Sequence, residues 1–563
     1  MNTLRQVLFS TAFLFLLTAT MSYGQTVSMV KDFDPTRSTP SSFSWFFNFN
    51  GELLFGAYDG TANGIWKSDG TEAGTVLVKT LNNSGDPTDL KDFVNVNGTL
   101  FFQANDGTHG YELWKSDGTA GGTVMVKDIY PGSTSSIISI NVAYNGNLYF
   151  NASSGTTNGY ELWKSDGTDA GTVMVKDINA GAGHGDPKSL CTSNGILYFT
   201  AVTTANGREL WKTDGTEAGT VLVKDINTGT GNSGNSGAGN LTDVNGTLFF
   251  SVTNSVIGGT TYVGYQLWKS DGTSAGTVQV KGNIYSNPPA PNSFTNVNGI
   301  LFFIALTGAN GIELWKSDGT TVGTVLVGDN LAASSNPAYL TNVNGKVFFQ
   351  RYVDASTGSE LWKSDGTDAG TEMVKDIYPG AGSSGPAFLK NVNGTLYFQA
   401  NDGINGNELW RSDGTSEGTM MVQDIYPGSG SSNLSQLTNV NGTLFFPGFG
   451  VTYGTALWKV VTTPTAVEEP NDFVPSNFTL QQNYPNPFNP STELSFVIGQ
   501  SSLVNLYVYN MLGQIVATLE ENKKMEAGEY SVMFDASHLP SGVYFYQLHA
   551  GEFIETQRMV LLK

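Results

Sequence analysis

Acidic side chains recur through most of this chain about once every 48 residues, each inside a near-copy of the sequence Trp-Lys-Ser-Asp-Gly-Thr. A carboxylate beside serine hydroxyls and turn carbonyls is a set of hard oxygen ligands, which Ca²⁺ prefers. A calcium loop usually gathers several carboxylates, whereas each copy here offers one. We therefore favour a turn in which the aspartate accepts hydrogen bonds from backbone amides, keep calcium as the alternative, and predict no required cofactor. The repeated aspartates are Asp69, Asp117, Asp166, Asp214, Asp271, Asp318, Asp365 and Asp413.

A second carboxylate recurs two residues before the repeated tryptophan. Acid–base catalysis needs two carboxylates in different environments, and equivalent positions in a repeat cannot divide those roles. We predict that these glutamates form hydrogen bonds between neighbouring units, and that the protein is not an enzyme. They are Glu112, Glu161, Glu209, Glu313, Glu360 and Glu408.

Other reactive residue types are scarce. The four histidines (at 109, 184, 538 and 549) are scattered without metal-ligand spacing, which disfavours a zinc centre or a Ser-His-Asp triad. Cys191 is the single cysteine, so no intramolecular disulfide can form, and we expect a small buried hydrophobic residue there. A catalytic site would have to come from residues that break the repeat, of which the candidates are His184, Arg208, Arg351, Asp354 and the insertion 227–240.

The charge balance excludes one class of partner. The chain has 28 Lys and Arg against 49 Asp and Glu, a formal net charge of −21. A nucleic-acid-binding protein needs a basic face to neutralise phosphates, so we expect no nucleic-acid partner.

The repeat itself predicts strands. Each unit contains an Asn-Gly pair before an apolar and aromatic run, which is typical of a hairpin closed by a type I′ turn. A Glu-Leu-Trp-Lys-Ser segment follows as a third strand, with Trp and Leu on opposite faces, and a Val-rich segment as a fourth. The pairs begin at Asn50, Asn97, Asn145, Asn194, Asn245, Asn298, Asn344, Asn393 and Asn441.

Four short antiparallel strands per unit are typical of a β-propeller blade. Residues 27–35 read as a fourth strand without the first three, and residues 437–460 as three strands without a fourth. We predict that these two fragments form one composite blade, which closes a large all-β propeller of about nine blades over residues 25–460. Propellers usually have four to eight blades, so this number is unusual.

The chain ends differ from the repeat. Residues 1–24 read as a signal peptide cleaved before Gln25, and no other segment predicts a transmembrane span in the mature chain. Residues 461–476 are rich in Pro, Thr and acidic residues and are predicted to be a linker. Residues 477–563 alternate strands with Gly and Pro turns, which predicts a small immunoglobulin-like β-sandwich.

Two resemblances follow from these motifs. The Glu-Leu-Trp-x-x-Asp-Gly-Thr copies resemble the ELWxxDGT repeat family of secreted bacterial proteins, which implies a repeat fold. The C-terminal segments 483–490, 508–513, 539–544 and 558–563 resemble the type A sorting domain of the type IX secretion system. This second resemblance implies export through the outer membrane, contact with the secretion machinery, and a secreted or cell-surface location. It assigns the sorting signal to Pro485, Asn486, Pro487, Phe488, Asn489, Pro490, Gly513, Gly542, Tyr544 and Lys563.

Export and a repeated display surface favour a non-enzymatic binding or adhesion protein, with surface glycans or proteins as partners and contacts made by loops at one rim. The alternatives are a polysaccharide-acting enzyme with its site at the channel mouth, and a passive surface-layer component. Unlike carboxylates or a histidine at the channel mouth would favour the enzyme. Aromatic side chains exposed on the variable loops of one rim would favour the binding protein.

Overall fold

The structure is a computed structural model that forms two compact units, Met1–Thr463 and Pro464–Lys563. It describes residues 23–33, 42–59, 63–82, 90–228, 235–257, 260–282, 292–307, 311–328, 335–450, 454–464, 478–499, 501–525, 528–551 and 553–563. The predicted signal peptide falls outside the described residues except for its last two, which begin strand β1 (Tyr23–Asp32). Residues 465–476 of the predicted linker also lie outside them.

The first unit is all-β in its described residues and consists of four-stranded antiparallel sheets, consistent with a propeller-like fold. In eight of these sheets the four strands are consecutive in the chain. Sheet 1 contains β2 (Phe43–Phe49), β3 (Glu52–Tyr58), β4 (Asn63–Ser68) and β5 (Val76–Asn82); sheet 2 contains β6 (Leu90–Val96), β7 (Thr99–Asn105), β8 (Tyr111–Ser116) and β9 (Val124–Lys127); sheet 3 contains β10 (Ile137–Tyr144), β11 (Asn147–Ala152), β12 (Glu161–Ser165) and β13 (Val173–Lys176); sheet 4 contains β14 (Lys188–Ser193), β15 (Ile196–Thr203), β16 (Gly207–Thr213) and β17 (Val221–Lys224).

The next four sheets repeat the pattern. Sheet 5 contains β18 (Gly239–Val244), β19 (Thr247–Ile257), β20 (Thr260–Ser270) and β21 (Val278–Lys281); sheet 6 contains β22 (Asn292–Val297), β23 (Ile300–Thr307), β24 (Gly311–Ser317) and β25 (Val325–Leu326); sheet 7 contains β26 (Ala338–Val343), β27 (Lys346–Tyr352), β28 (Ser359–Ser364) and β29 (Glu372–Lys375); sheet 8 contains β30 (Ala387–Val392), β31 (Thr395–Asn401), β32 (Asn407–Ser412) and β33 (Met420–Gln423).

Sheet 9 joins the two ends of this unit. It has the order β1-β36-β35-β34, with β34 (Thr438–Val440), β35 (Thr443–Gly450) and β36 (Gly454–Pro464), so the N-terminal strand supplies the fourth strand as predicted. The expected linker start at residue 461 is wrong, because β36 continues through Pro464. β36 has 11 residues, which is close to the 10 residues of β1, the strand with which it pairs.

The Asn-Gly turns have the predicted conformation. At all nine pairs the asparagine has a φ between 47° and 52° and the glycine a φ between 73° and 89°. Positive φ at both central residues defines a type I′ turn, and its twist suits a two-residue hairpin. The turn chemistry read from the sequence is therefore confirmed.

The cores lie between neighbouring sheets and use both faces of each third strand. Leu113 packs into a buried cluster with Leu148 and Trp163 of sheet 3, whereas the adjacent Trp114 packs with Leu54 of sheet 1. Successive side chains of a strand point to opposite faces, so one Leu-Trp pair contributes to two cores. The predicted alternation is confirmed.

The sheets follow one another in a closed order. In the described residues, the first strand of each sheet contacts the first strands of the sheets before and after it, and β34 of sheet 9 contacts both β30 and β2. The amide of Asn48 donates to the carbonyl of Asn439 across this junction, at 3.3 Å. Phe33, which follows β1, packs against Phe55 and Trp66 of sheet 1. This closed order is consistent with a propeller-like fold in which the first strands line the inner wall.

Lysines of sheets 2 to 7 each bind the sheet that follows. The Lys115 ammonium donates to the Gly167 carbonyl in the Asp-Gly-Thr loop of sheet 3, at 2.7 Å. The same bond recurs from sheets 3 to 7, between 2.6 and 2.9 Å. The repeated lysine therefore has a structural role that its position in the sequence did not reveal.

The second unit contains two sheets around one core. The first has the order β37-β38-β41 and the second β40-β39-β42-β43. Leu494, Leu506 and Tyr546 are among the buried residues that the two sheets share. The described part of the whole chain contains no helix that could cross a membrane. The strands are β37 (Thr479–Leu480), β38 (Ser491–Ile498), β39 (Ser502–Tyr509), β40 (Ile515–Met525), β41 (Gly528–Asp535), β42 (Gly542–Ala550) and β43 (Phe553–Leu561).

Candidate functional site

The Ser-Asp-Gly-Thr loop is a network of local hydrogen bonds. In sheet 2, Oδ1 of Asp117 accepts from both the amide and the hydroxyl of Thr119, at 2.9 and 2.7 Å. The Thr119 hydroxyl oxygen in turn accepts from the Gly122 amide at 3.0 Å. The buried hydroxyls of Ser116 and Thr123 lie 2.7 Å apart and close the base of the loop. Each residue of the Ser-Asp-Gly-Thr sequence therefore has a hydrogen-bond partner within the same turn.

The same aspartate bond occurs in all eight copies, between 2.8 and 2.9 Å. The Thr119 hydroxyl and amide hold the pKa of Asp117 below its usual range. Among the described residues, no three acidic, histidine or cysteine side chains come close enough together to hold a metal ion. The structure therefore places these aspartates in turns, each separate from the others.

The repeated glutamates are buried and bind the segment that leads to the next sheet. Glu112 accepts from the amides of Ile129 and Ser136, at 2.9 and 3.1 Å, and from the Ser136 hydroxyl. The Ser136 carbonyl accepts from the Ser153 amide, which follows strand β11 of sheet 3, at 2.8 Å. Glu112 and the neighbouring sheet therefore bind the same residue, Ser136, and are connected through it.

Burial changes the acidity of these glutamates. Loss of solvation raises the pKa of Glu112, Glu161 and Glu408 to about 7 and that of Glu209 to about 8, and burial also raises the pKa of Glu360. Such shifts occur at catalytic sites and also in structural networks. Here the same shift recurs in several sheets with backbone partners, which indicates a structural network.

The fifth copy has a glutamine at this position and different partners. The carbonyl oxygen of Gln266 accepts from the Trp268 indole at 3.0 Å and from the Gln279 amide at 2.8 Å. Gln279 stands where the other copies have Leu or Met. The substitution is therefore accompanied by a new polar partner on the adjacent strand.

Two of the candidate catalytic residues, His184 and Arg208, lie in sheet 4 or in the segment that leads to it, and both have local partners. The His184 imidazole accepts at Nδ1 from the Tyr160 amide, at 3.1 Å, and stacks on the Tyr160 ring. The Arg208 guanidinium forms an ion pair with Asp186 at 2.5 Å. Cys191 on β14 is half-buried beside the core between sheets 4 and 5, rather than fully buried as expected, because it lies on the first strand near the inner wall.

The other two candidates lie in sheet 7. Arg351 is buried, donates to the Gly328 carbonyl at 2.9 Å and lies over the Trp362 ring, 4.6 Å from its centre. Asp354 accepts from the Ser356 amide and hydroxyl in an exposed turn. Of the predicted insertion 227–240, residues 229–234 lie outside the described part of the chain.

The first strands contain a feature that the sequence analysis did not single out. In the first strands of sheets 1, 2 and 4 to 8, the residue five positions before the turn asparagine lies in a β-bulge. In all of these, this residue has a positive φ, although none is glycine. In sheet 1 it is Trp45, the one tryptophan of ten outside the repeat, and this was the signal available in the sequence.

The predicted sorting residues come together at one end of the second unit. The Phe488 amide donates to the Val560 carbonyl and the Leu562 amide to the Phe488 carbonyl, both at 2.9 Å. The Lys563 amide donates to the Ser541 hydroxyl at 2.9 Å. The segments 485–490, 539–544 and 558–563 are thus neighbours, while Gly513 lies in a separate turn with a φ of 76°. The Tyr544 hydroxyl donates to the Pro540 carbonyl, and Gly542 begins β42.

Comparison with known proteins identifies this end of the chain. A family model described as the secretion system C-terminal sorting domain matches residues 482–562. The match confirms the predicted sorting domain and with it export by the type IX system, interaction with its machinery, and a secreted or cell-surface location. No curated protein matches the chain.

Several solved structures resemble the chain weakly. One is from a study of two prolyl endopeptidases, with 12% identity, a TM-score of 0.35, and coverage of 72% of this chain and 54% of that one. Prolyl oligopeptidase B from Galerina marginata, bound to a 35mer substrate, has 11% identity, a TM-score of 0.34 and coverage of 74% and 56%. An uncharacterised protein from Listeria monocytogenes has 10% identity, a TM-score of 0.29 and coverage of 55% and 92%. The chain spans about half the length of the two peptidases.

Proposed function

We propose that this chain is a non-enzymatic binding or adhesion protein of the bacterial surface or medium. In this proposal residues 25–464 form a nine-bladed β-propeller of the ELWxxDGT repeat family, which presents contact residues to glycans or proteins outside the cell. Residues 477–563 form an immunoglobulin-like sorting domain that directs export.

The observation that carries the proposal is the consistent structural use of the repeated carboxylates. Six buried glutamates accept bonds from backbone amides, as Glu360 does from Ile377 and Ser384 at 2.9 Å. Eight aspartates accept from the threonine two residues later. A carboxylate already engaged in this way is poorly placed to transfer protons or ligate a metal, so we infer binding without catalysis or a cofactor.

The propeller assignment is supported by the closed order of the sheets and by the cores between them. The composite sheet buries residues on both sides, with Val27 beside Leu409 of sheet 8 and Leu457 beside Leu53 of sheet 1. The immunoglobulin-like assignment is supported by two sheets around one core and by the bond from the Tyr544 hydroxyl to a carbonyl four residues earlier.

The test is retention of the purified protein on cellulose, chitin, starch granules and intact bacterial cells, with the supernatant assayed for reducing sugar ends. The proposal predicts retention on at least one of these without release of sugar ends. Release that is lost in an Arg208→Ala or His184→Ala variant would replace it with the polysaccharide-acting enzyme. Folded protein that is neither retained nor active would instead favour a passive surface component.

A further inference from the structure

The bulged position recurs on the first strands of seven of the nine sheets. In sheet 1, Ser44 pairs with Gly56 and Phe47 with Leu54, so Trp45 and Phe46 are opposite a single residue. This is one extra residue in the bulged strand, and the same shift recurs in sheets 2 and 4 to 8. Together with the positions five residues before the turn asparagine in sheets 3 and 9, we call these nine positions the first-strand ring. Its members are Trp45, Asp92, Ile140, Ser189, Asn240, Ser293, Tyr339, Phe388 and Gln436.

Three aromatic members of this ring are not explained by folding. A positive φ suits Asn, Asp and Gly, and it strains bulky side chains. Trp45, Tyr339 and Phe388 nevertheless have φ values of 50°, 60° and 56°. They are also 43%, 46% and 41% exposed, so each leaves a large part of its surface in contact with solvent. Asp92 and Asn240 occupy equivalent positions with the side chains that this conformation favours. Strained residues of this kind indicate a function.

The three aromatic residues lie in one arc. Tyr339 is in sheet 7 and Phe388 in sheet 8, and their ring centres are 6.5 Å apart. Sheet 9 follows with Gln436, whose side chain accepts from the Phe46 amide at 3.0 Å, and sheet 1 follows with Trp45. The arc is therefore two neighbouring aromatic rings, an amide and an indole in consecutive sheets.

The remaining described positions of the ring are polar. Ser189, Asn240 and Ser293 are exposed and carry hydroxyl and amide groups, and Asp92 carries a carboxylate; the Asn240 side-chain amide also donates to the Ser251 hydroxyl at 3.1 Å. None of the nine residues is a cation, and the chain carries a net charge of −21. Phosphorylated or acidic ligands are therefore disfavoured by charge.

We propose that the first-strand ring binds a neutral polysaccharide chain. Sugar rings have an apolar face of C–H groups and a rim of hydroxyls. Tyr339, Phe388 and Trp45 would take the apolar faces by stacking, and the polar members would exchange hydrogen bonds with the hydroxyls. This inference rests on the proposed binding function. It places the binding site on the inner wall and not on variable loops at the rim.

The test compares the full protein with the triple variant Trp45→Asn, Tyr339→Asn and Phe388→Asn. Asparagine tolerates the positive φ, so the variant should fold at least as well as the parent. The control is Tyr484→Asn, which removes an aromatic residue that is 82% exposed in the other unit. Binding is measured on cellulose, chitin and starch, and by titration calorimetry with soluble cellohexaose and maltohexaose, which does not depend on a tryptophan that the variant removes.

The expected result is retention of the parent and the control on at least one polysaccharide, with affinity about tenfold or more lower in the triple variant. Equal retention of the triple variant would overturn the assigned site while the binding function remained. Binding of the parent to cells or proteins but to no polysaccharide would overturn the ligand class. Binding to nothing would overturn both this inference and the proposed function.

Discussion

The Asp117 carboxylate lies directly against Gly122, five residues later in the same turn. A Cβ built on Gly122 would be 2.1 Å from Oδ1 of Asp117. The carboxylate cannot easily move, because the Thr119 amide and hydroxyl both donate to it. The repeat therefore requires a glycine here for reasons of space, and the same contact recurs in all eight copies.

Gly122→Ala should lower the free energy of unfolding by about 1 to 3 kcal/mol, as overpacking usually does. Gly121→Ala is the matched control, because a Cβ there meets nothing within 4 Å and other copies have alanine at this position. Urea unfolding of both variants gives the comparison. The steric account fails if the two alanines have equal effects, or if Asp117→Ala does not reduce the cost of Gly122→Ala.

The buried glutamates predict a stability that falls as pH rises. Their pKa is about 7 to 8 in four cases, above the usual value of 4.5, so the folded state holds protons that the unfolded state releases. This contribution is complete below pH 4.5 and is lost between about pH 4.5 and 8. The loss is on the order of 1 to 3 kcal/mol for each glutamate. Thermal unfolding at pH 5, 6, 7 and 8 measures it.

Glu112→Gln tests the cause of this dependence. The variant should be less stable at pH 5, because the new amide group meets the Ile129 and Ser136 donors, and its stability should depend less on pH. His109, whose pKa is raised mainly by its hydrogen bond to Asp106, adds to the slope in the same direction, and the charge of Glu112 contributes a smaller part of that rise. An unfolding temperature that is constant or rises from pH 5 to 8 would show that burial does not control these groups.

The Asn-Gly hairpins and the two buried faces of each third strand could be predicted from the sequence, because they depend on local chemistry. Asn-Gly specifies its own turn, and the Leu-Trp alternation specifies two faces. The Lys115 bond and the Gly122 contact were not predicted, because the first depends on the spacing between sheets and the second on the path of a turn. The end of β36 was predicted too early, because it depends on pairing with β1, which is more than 400 residues away in the sequence.

Removal of divalent ions should leave the first unit intact. Oδ1 of each repeated aspartate already accepts two bonds from threonine, so dialysis against EDTA should shift the unfolding temperature by less than about 1 °C. Asp117→Asn keeps an acceptor for Thr119 and should also fold. A clear rise in the unfolding temperature when Ca²⁺ is added, reduced in the Asp117→Asn variant, would restore the calcium interpretation.

Export should depend on the packing of the sorting segment against the C-terminal strand. Phe488 is 2% exposed and its ring lies 6.3 Å from that of Phe534, so Phe488→Ala should cost about 3 to 5 kcal/mol and retain the protein inside the cell. Leu503→Ala, at a residue that is 58% exposed, is the control and should be exported normally. Immunoblots of cells and medium decide the outcome. Normal export of Phe488→Ala would contradict this role.

Calorimetry with a soluble neutral polysaccharide tests the central claim most directly. A ligand that binds only the folded state raises the unfolding temperature of the unit that binds it. The account predicts that hydroxyethyl cellulose or soluble starch raises the transition of the first unit and leaves that of the sorting unit unchanged. No shift with either, or a shift confined to the sorting unit, would contradict a binding function of the repeat.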